Sequence, residues 1–255
     1  MKLINPNPFT TRPEIVGTFG VVTSTHWIAT AVGMGILERG GNAFDAAVAT
    51  AFTLQVCEPH LCGPGGDVPL IFHAVKKGKT EVMCGQGVMP QLATIAHFRK
   101  LGLDLIPGTG LLPAAVPGTF DAYMLMLRDY GTMKLADVLA PAIFYADDGF
   151  PVSEVVARYW SEGARKLAAD PNAAKVFLPN GHPLKEGEVF RNPELANTMR
   201  LIAEKGPAGF YEGKTAEAIL SVMKAQGGTM TAADLAEYQP EWVEPISTTY
   251  RGWTV

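Results

Sequence analysis

The side chains best able to do chemistry in this sequence are concentrated in the stretch EPHLCGPGGD, residues 58–67. It holds carboxylates, a histidine and a cysteine, which could act as acid, base, nucleophile or metal ligand. A zinc site is one interpretation, with four ligands in this stretch or close to it: Cys57, His60, Cys62 and Cys84. The competing interpretation is a set of buried thiols, because cysteine is among the residues most often found in protein interiors.

The order of elements around the glycines argues against a phosphate site. Nucleotide-binding loops run from a strand through glycines to a helix N-terminus, whereas this stretch leads from a helix into a strand. It has no Lys-Ser/Thr pair, and the carboxylate of Asp67 would repel phosphate. The glycines are better suited to positive φ angles and to close approach between backbones.

No nucleophile and base have a spacing typical of catalysis. Cys62 and His60 are two residues apart in a loop, where the required geometry is rare. The sequence has no Gly-x-Ser-x-Gly elbow. Four other histidines show no spacing to a nucleophile: His26, His73, His97 and His182. The residues therefore indicate no catalytic residue and no cofactor in this chain.

The composition suits one large domain or two small ones, and we treat residues 1–255 as a single domain. Of 255 residues, 47% are hydrophobic and 18% charged, so the chain can bury a substantial core. The formal net charge is -4, and the densest group of cations, Lys76, Lys77 and Lys79, is typical of a hairpin turn. Because the basic patch of a nucleic-acid binder is missing, we expect no nucleic-acid partner.

Three features predict a cytoplasmic protein without a membrane partner. The N-terminal stretch MKLINPNPFTTRPEIVGTFG lacks the apolar region of a signal peptide, because prolines and asparagines interrupt it. No uncharged apolar run reaches the roughly 18 residues that a membrane span needs. Three cysteines leave an odd thiol under any pairing, which favours a reducing compartment.

Residue periodicity predicts a helix-rich α+β chain. Helices are expected over residues 25–39, 43–56, 92–101, 117–130, 134–148, 153–169, 192–205 and 213–226. Asn42 is expected to cap the second helix, and Thr231 to cap a further short one with Asp234 at its third position. The segments VPLIFHAV and TEVMCGQGV predict a β-hairpin with Pro69 at an edge, and residues 15–24 predict a short buried strand.

The C-terminal segment EPISTTYRGWTV alternates as a strand and runs to Val255 with no turn or cap after it. An unpaired strand edge of this kind is a liability in a free-standing chain. We therefore expect another polypeptide to supply the rest of the fold.

Four blocks cover nearly the whole chain in order: GGNAFDAAVATAFTLQVCEPHLCGPGGD, VPGTFDAYMLMLRDYGTMKLADVLAPAIFYADDGFPVS, NPELANTMRLIAEKGPAGFYEGKTAEAI and GGTMTAADLAEYQPEWVEPISTTYRG. Together they resemble the gamma-glutamyltranspeptidase family. The first is similar to the family's Gly-Gly-Asn-Ala-x-Asp-Ala-Ala-Val-Ala … Glu-Pro-His … Gly-x-Gly-Gly block. A match through several long blocks is far more specific than any single short motif.

The resemblance implies the large-subunit part of an N-terminal-nucleophile hydrolase with a four-layer αββα architecture. Members of the family are made as one precursor, which cleaves itself into a large and a small subunit. The new N-terminal threonine of the small subunit is the nucleophile, and its own amine can serve as base. The resemblance therefore implies a small-subunit partner, no catalytic residue in this chain, and an (αβ)2 assembly as one arrangement.

One position departs from the family at the substrate. The family's hairpin leads into an Arg-Glu-x-Ala-Pro-like stretch, whose arginine holds the substrate's α-carboxylate through two hydrogen bonds. Here the stretch is GQGVMP, and counting back from Pro90 puts Gln86 in the place of that arginine. A neutral amide can hydrogen-bond an acyl group but cannot supply the charge. Gln86 is thus the expected substrate-binding residue; the alternative is that it only satisfies a buried strand end.

The sequence thus predicts the large subunit of a gamma-glutamyltranspeptidase-like amide hydrolase or acyltransferase. Its substrate would be a small-molecule γ-glutamyl or related acyl amide, as in glutathione metabolism. An acylase for another acyl group, as in the cephalosporin-acylase-like branch, and a non-catalytic scaffold are the alternatives, with the zinc protein as a third. Asp45 is expected to make hydrogen bonds within its block, and Glu58 and His60 to brace the glycine turn.

Overall fold

The computed structural model describes residues 14–255. Residues 1–13 lie outside the described residues. They include most of the N-terminal stretch that was predicted not to be a signal peptide. The helices are α1 Trp27–Glu38, α2 Ala43–Cys57, α3 Ile95–Lys100, α4 Thr119–Tyr130, α5 Leu135–Asp147, α6 Glu154–Ala168, α7 Pro171–Phe177, α8 Pro193–Lys205, α9 Ala208–Tyr211, α10 Gly213–Ala225 and α11 Ala232–Glu237. The strands are β1 Val68–Ala74, β2 Lys79–Gly85, β3 Phe150–Pro151, β4 Val189–Phe190, β5 Glu241–Val243, β6 Thr249–Tyr250 and β7 Trp253–Thr254.

The predicted helices are all present, and the two helices with predicted caps begin where expected. Asn42 accepts hydrogen bonds from the backbone N–H groups at the start of α2. Thr231 and Asp234 form the reciprocal capping box of α11. Two short helices, α7 and α9, were not predicted, because one or two turns give too little periodicity to detect.

Helices α1 and α2 pack at very close range. A side chain at Gly33 would place its Cβ 2.2 Å from the hydroxyl of Thr50, so only glycine permits this approach. Helix α2 is buried on several sides, as its lack of a polar face predicts, and Phe52 is fully buried at its centre. It also packs against α4 and α5, and α5 packs against α8. These helices form the core that supports the sheet.

The main sheet has the order β1-β2-β5, with both pairs antiparallel. The predicted hairpin is β1–β2, and Pro69 lies on an edge strand of this sheet, as predicted. One face, with Leu70, Phe72 and Met83, packs against the helical core. The other face is open, and Ile71 on it is 73% exposed. The sheet therefore has one covered and one uncovered face.

Two strand predictions were wrong. Residues 15–24 form no strand, and Val16 and Phe19 in this segment are exposed, because no neighbouring strand in residues 14–255 pairs with it. The C-terminal segment is not one extended strand but the small hairpin β6–β7. Its turn at Arg251 and Gly252 has positive φ angles of 51° and 83°, which fold the chain back on itself. The main sheet instead takes its third strand from β5, which was not predicted.

Candidate functional site

Gln86 is the first residue after β2, and its side chain is exposed. Alternation along β2 puts it on the open face of the sheet, together with Cys84. The thiol of Cys84 lies 3.7 Å from Gln86 Oε1, which is a weak contact. This exposure does not fit a buried strand end, and it leaves the amide of Gln86 able to bind a ligand.

The backbone around Gln86 is held by the glycines on either side and by the N-terminus of α4. A Cβ at Gly87 would lie 1.6 Å from the carbonyl oxygen of Val116, and a Cβ at Gly118 would lie 2.4 Å from that of Gly85. The N–H of Val116 also donates to the carbonyl of Val88 at 2.9 Å. Side chains at these glycines would push the segments apart, so the glycines fix the position of Gln86.

The glycine turn that follows α2 is attached to the same junction. The carbonyl of Gly66 accepts hydrogen bonds from the N–H groups of Gly118 at 3.0 Å and Thr119 at 3.1 Å. These are among the first N–H groups of α4, which have no partner within their own helix. The turn is itself closed by a hydrogen bond from Gly66 N–H to the carbonyl of Gly63. The glycine turn therefore supports this junction through its backbone N–H and carbonyl groups.

Two buried tyrosines hold the carbonyls of this junction. The hydroxyl of Tyr238 donates to the carbonyl of Gln86 at 3.2 Å, and that of Tyr211 donates to the carbonyl of Pro117 at 2.7 Å. Burial raises the pKa of Tyr238 to about 12, and nearby acidic groups, first among them Asp121, add to the effect. Burial likewise raises the pKa of Tyr211. Both phenols therefore stay protonated and can donate.

The segment that follows Gln86 is hydrogen-bonded to α11 through Gln91. The N–H of Gln91 donates to Asp234 Oδ1 at 2.8 Å, and the Gln91 side chain donates to Glu237 at 3.1 Å. The sequence predicted a role for Gln86 but gave no sign of Tyr238, which contacts its carbonyl, or of the contacts that Gln91 makes five residues later. No local pattern could have found Tyr238, because its contact spans 152 positions along the chain.

Glu58 braces the glycine turn as predicted, whereas His60 makes a different contact. The carbonyl of Glu58 accepts from the N–H groups of Leu61 at 2.9 Å and Cys62 at 3.1 Å, and its buried carboxylate accepts from the hydroxyl of Thr25. The ring of His60 stacks on Tyr159 of α6 at 5.0 Å between centroids. Burial lowers the pKa of His60, which favours the neutral ring. Neither side chain is arranged as a catalytic acid or base.

The cysteines do not form the zinc site considered from the sequence. Burial raises the pKa of Cys57 to about 12 and that of Cys62 to about 11. All three cysteines are free. Within residues 14–255, no group of three or more histidine, cysteine or acidic side chains is arranged to hold a metal ion.

Asp45 makes the hydrogen bonds expected of it and further ones outside its block. Its carboxylate accepts from the N–H of Asn42 at 2.9 Å, the hydroxyl of Thr132 at 2.6 Å and the N–H of Met133 at 3.2 Å. Burial acts to raise its pKa, but these hydrogen bonds lower the pKa below its ordinary value. Asp45 thus joins the start of α2 to the turn after α4.

Taken together, the described residues place a hydrogen-bonding amide on a fixed backbone at the open face of the sheet. Gln86 can donate to or accept from an acyl group placed over the open face of the sheet. The helices in the described part of the chain are all too short or too polar to cross a membrane.

Comparisons with known proteins agree with this geometry. The sequence model of the gamma-glutamyltranspeptidase family matches residues 29–255. The glutathione hydrolase-like YwrD proenzyme of Bacillus subtilis (strain 168) is 41% identical over 244 residues, which are 95% of this chain and 46% of that relative.

Two solved structures have the same fold. The gamma-glutamyltranspeptidase of Helicobacter pylori matches with a TM-score of 0.90 and 34% identity, over 95% of this chain and 70% of that chain. A cephalosporin acylase from Bacillus halodurans matches with a TM-score of 0.89 and 37% identity, over 100% of this chain and 48% of that chain. The predicted helix-rich α+β fold, the large-subunit part of an αββα N-terminal-nucleophile hydrolase, is confirmed. The chain spans less than half the length of the curated relatives it matches.

Proposed function

Because this chain belongs to the gamma-glutamyltranspeptidase family, we propose that it is the large-subunit part of an amide hydrolase or acyltransferase. The nucleophile is the N-terminal threonine of a small subunit cut from the same precursor. Its hydroxyl adds to the amide carbonyl, and its amine passes the hydroxyl proton to the leaving amine. The acyl group stays on the threonine as an ester, which water or a second amine then cleaves.

The uncovered face of the main sheet supports a partner chain. Ile71 and Val243 are exposed on this face, and Val82 between them is half-buried. An apolar sheet face is normally packed against a second layer. A small subunit placed on this face would bring its N-terminal threonine to the side on which Gln86 is exposed.

The observation that carries the proposal is the exposed amide of Gln86 on a backbone fixed by Tyr238 and by the glycines on either side. A rigid hydrogen-bonding group at an open face is what recognition of an acyl group needs. The amide is neutral, so the acyl group can be γ-glutamyl or another one. An acylase for a non-glutamyl acyl group is therefore the second candidate, and the similarity to a cephalosporin acylase favours it.

Intact-mass analysis of the full-length precursor tests the enzyme against the scaffold. We expect two chains whose masses sum to that of the precursor, and a small chain that begins with threonine. Replacing that threonine with alanine should leave the precursor uncut. A single uncut chain from the unmodified gene, with no turnover of any acyl amide, would support the non-catalytic scaffold instead.

Replacing Gln86 with arginine tests its role in acyl selection. The Gln86→Arg variant should raise kcat/KM for γ-glutamyl p-nitroanilide relative to butanoyl p-nitroanilide by about tenfold to a hundredfold, the value of one charged hydrogen-bond pair. Gln226→Arg is the matched control, because it adds the same charge at the end of α10. If the ratio moves equally in both variants, or in neither, Gln86 does not select the acyl group.

A cytoplasmic location and an (αβ)2 assembly are further parts of the proposal. The three free thiols support the location, because a reducing compartment keeps thiols unpaired. Cell fractionation followed by detection of the large chain tests the location. Light scattering of the purified enzyme tests the assembly, for which the expected mass is twice that of one precursor.

A further inference from the structure

Asp67 precedes β1 and Gln86 follows β2, so both residues flank the last pair of the β1–β2 ladder. Val68 pairs with Gly85 at the end of the β1–β2 ladder, so the same register continued by one residue puts Asp67 opposite Gln86. Residues directly opposite each other in an antiparallel pair point to the same face, with Cβ atoms about 5 Å apart. Asp67 and Gln86 are both exposed, as this placement requires.

The backbone is held on both sides of this pair. Gly66, which precedes Asp67, accepts two hydrogen bonds from the start of α4 through its carbonyl. Gln86 is held by the hydroxyl of Tyr238. Gly118, at the N-terminus of α4, lies between Gly66 and Gln86. Its N–H donates to the carbonyl of Gly66 at 3.0 Å, and a Cβ added to it would lie 2.8 Å from Gly87 N. The backbone next to Asp67 and the backbone of Gln86 are therefore held by the same junction.

No cation of the surrounding segments offsets the charge of Asp67. In the part of the chain that the structure describes, its carboxylate forms no ion pair. The four segments that meet around the junction contain no lysine or arginine: residues 57–75, 84–98, 111–127 and 229–250. Instead they add carboxylates, such as Asp121 on α4 and Glu241, which is opposite Cys84 in the sheet. The charges that these four segments of the chain place around Gln86 are therefore negative.

We propose that Asp67 is a second specificity-determining residue, which acts with Gln86 to select the acyl group by its charge. This inference rests on the proposed function. The carboxylate of Asp67 attracts an acyl group that carries an ammonium near Gln86, and it repels one that carries a carboxylate there. The preferred substrates are then amides of amino-substituted acyl groups without a free carboxylate, followed by amides of neutral acyl groups.

Four p-nitroanilides whose acyl chains share a four-carbon core and differ in the charged groups they carry test the proposal. The unmodified, processed enzyme should hydrolyse the 4-aminobutanoyl compound best, then butanoyl, and glutaryl worst, with γ-glutamyl, which carries both charges, between the extremes. Asp67→Asn should lower the ratio of kcat/KM for 4-aminobutanoyl over glutaryl about tenfold, because one charge at short range is removed without a change of shape. Glu204→Gln, which removes an exposed carboxylate on α8, should change that ratio less than about twofold.

The outcomes separate this inference from the proposed function. A glutaryl amide that is the best substrate of the unmodified enzyme would overturn the role of Asp67, as would a ratio that Asp67→Asn leaves unchanged. If the precursor is processed but none of the four amides is hydrolysed, the proposed activity fails. The charge preference is then decided by calorimetry with 4-aminobutanamide and glutaramate. Equal affinity for the two compounds would overturn it, and tighter binding of the ammonium compound that Asp67→Asn abolishes would support it.

Discussion

Asp45 and Gln86 are polar residues at the edges of the same core, yet their surroundings differ completely. Asp45 is fully buried, and its carboxylate is satisfied by donors from Asn42, Thr132 and Met133. The side chain of Gln86 is exposed, and its contact within residues 14–255 is the weak one from Cys84. The backbone of Gln86 is held instead, because its carbonyl accepts a hydrogen bond from the hydroxyl of Tyr238.

This difference separates residues that specify the fold from residues available to a ligand. A buried carboxylate with several donors stabilises one arrangement of the chain, because no other arrangement satisfies it. An exposed amide on a rigid backbone contributes little to the fold but can hydrogen-bond an acyl group without reorganisation of the protein. Substitutions at the two kinds of position should therefore change different measured quantities.

The largest effect on stability is expected from Asp45→Asn. The amide presents an NH2 group where the carboxylate accepts hydrogen bonds, so a buried donor loses its partner at a cost of about 3 kcal/mol in the free energy of unfolding. Urea unfolding of the processed protein at fixed concentration measures this loss. Asp170→Asn is the control, because Asp170 caps α7 from a half-buried position and an asparagine can still cap, so less than about 1 kcal/mol should be lost.

The pH dependence gives a second measurement of the same contact. Because hydrogen bonds lower the pKa of folded Asp45, its stabilisation is fully present above the unfolded pKa of about 4 and is lost as pH falls through the folded pKa. The difference in stability between the unmodified protein and Asp45→Asn should therefore shrink below about pH 4. A constant difference across that range would mean that the carboxylate charge is not the source of the effect.

Tyr238→Phe should have a smaller effect on stability and a measurable one on the substrate. It removes one hydrogen bond to the carbonyl of Gln86, at a cost of about 1 kcal/mol. Tyr211→Phe is the matched control, since it removes the same kind of bond from Pro117. With similar losses of stability, Tyr238→Phe should raise KM for acyl amides more than Tyr211→Phe does. Equal KM values in the two variants would show that Tyr238 does not position Gln86.

Much of the fold could be predicted from local patterns, because helix periodicity and caps are encoded over a few residues. Asn42 and Thr231 capped the helices they were expected to cap. The strands were harder, because a strand exists only where a partner supplies hydrogen bonds. Residues 15–24 have the composition of a strand but no partner in the described range, whereas β5 is short and was not predicted at all.

The candidate site divides in the same way. Gln86 could be predicted by counting back from Pro90, because one motif fixes that spacing. The contact between Tyr238 and Gln86 depends on which distant segments meet, and no local pattern in the sequence encodes that. The Arg-Gly pair at residues 251–252 was a local signal for a turn, and its positive φ angles explain why the final segment is a hairpin.

The smallest effect on stability is expected from Gln86→Ala. The variant removes an exposed side chain and leaves the hydrogen bond from Tyr238 to the residue 86 carbonyl intact, so the free energy of unfolding should change by less than about 0.5 kcal/mol. KM for acyl amides should rise severalfold, because a hydrogen bond to the acyl group is lost. Urea unfolding and steady-state kinetics on one preparation measure both quantities. A loss of stability as large as that of Asp45→Asn, with KM unchanged, would show that Gln86 belongs to the fold and that acyl recognition lies elsewhere.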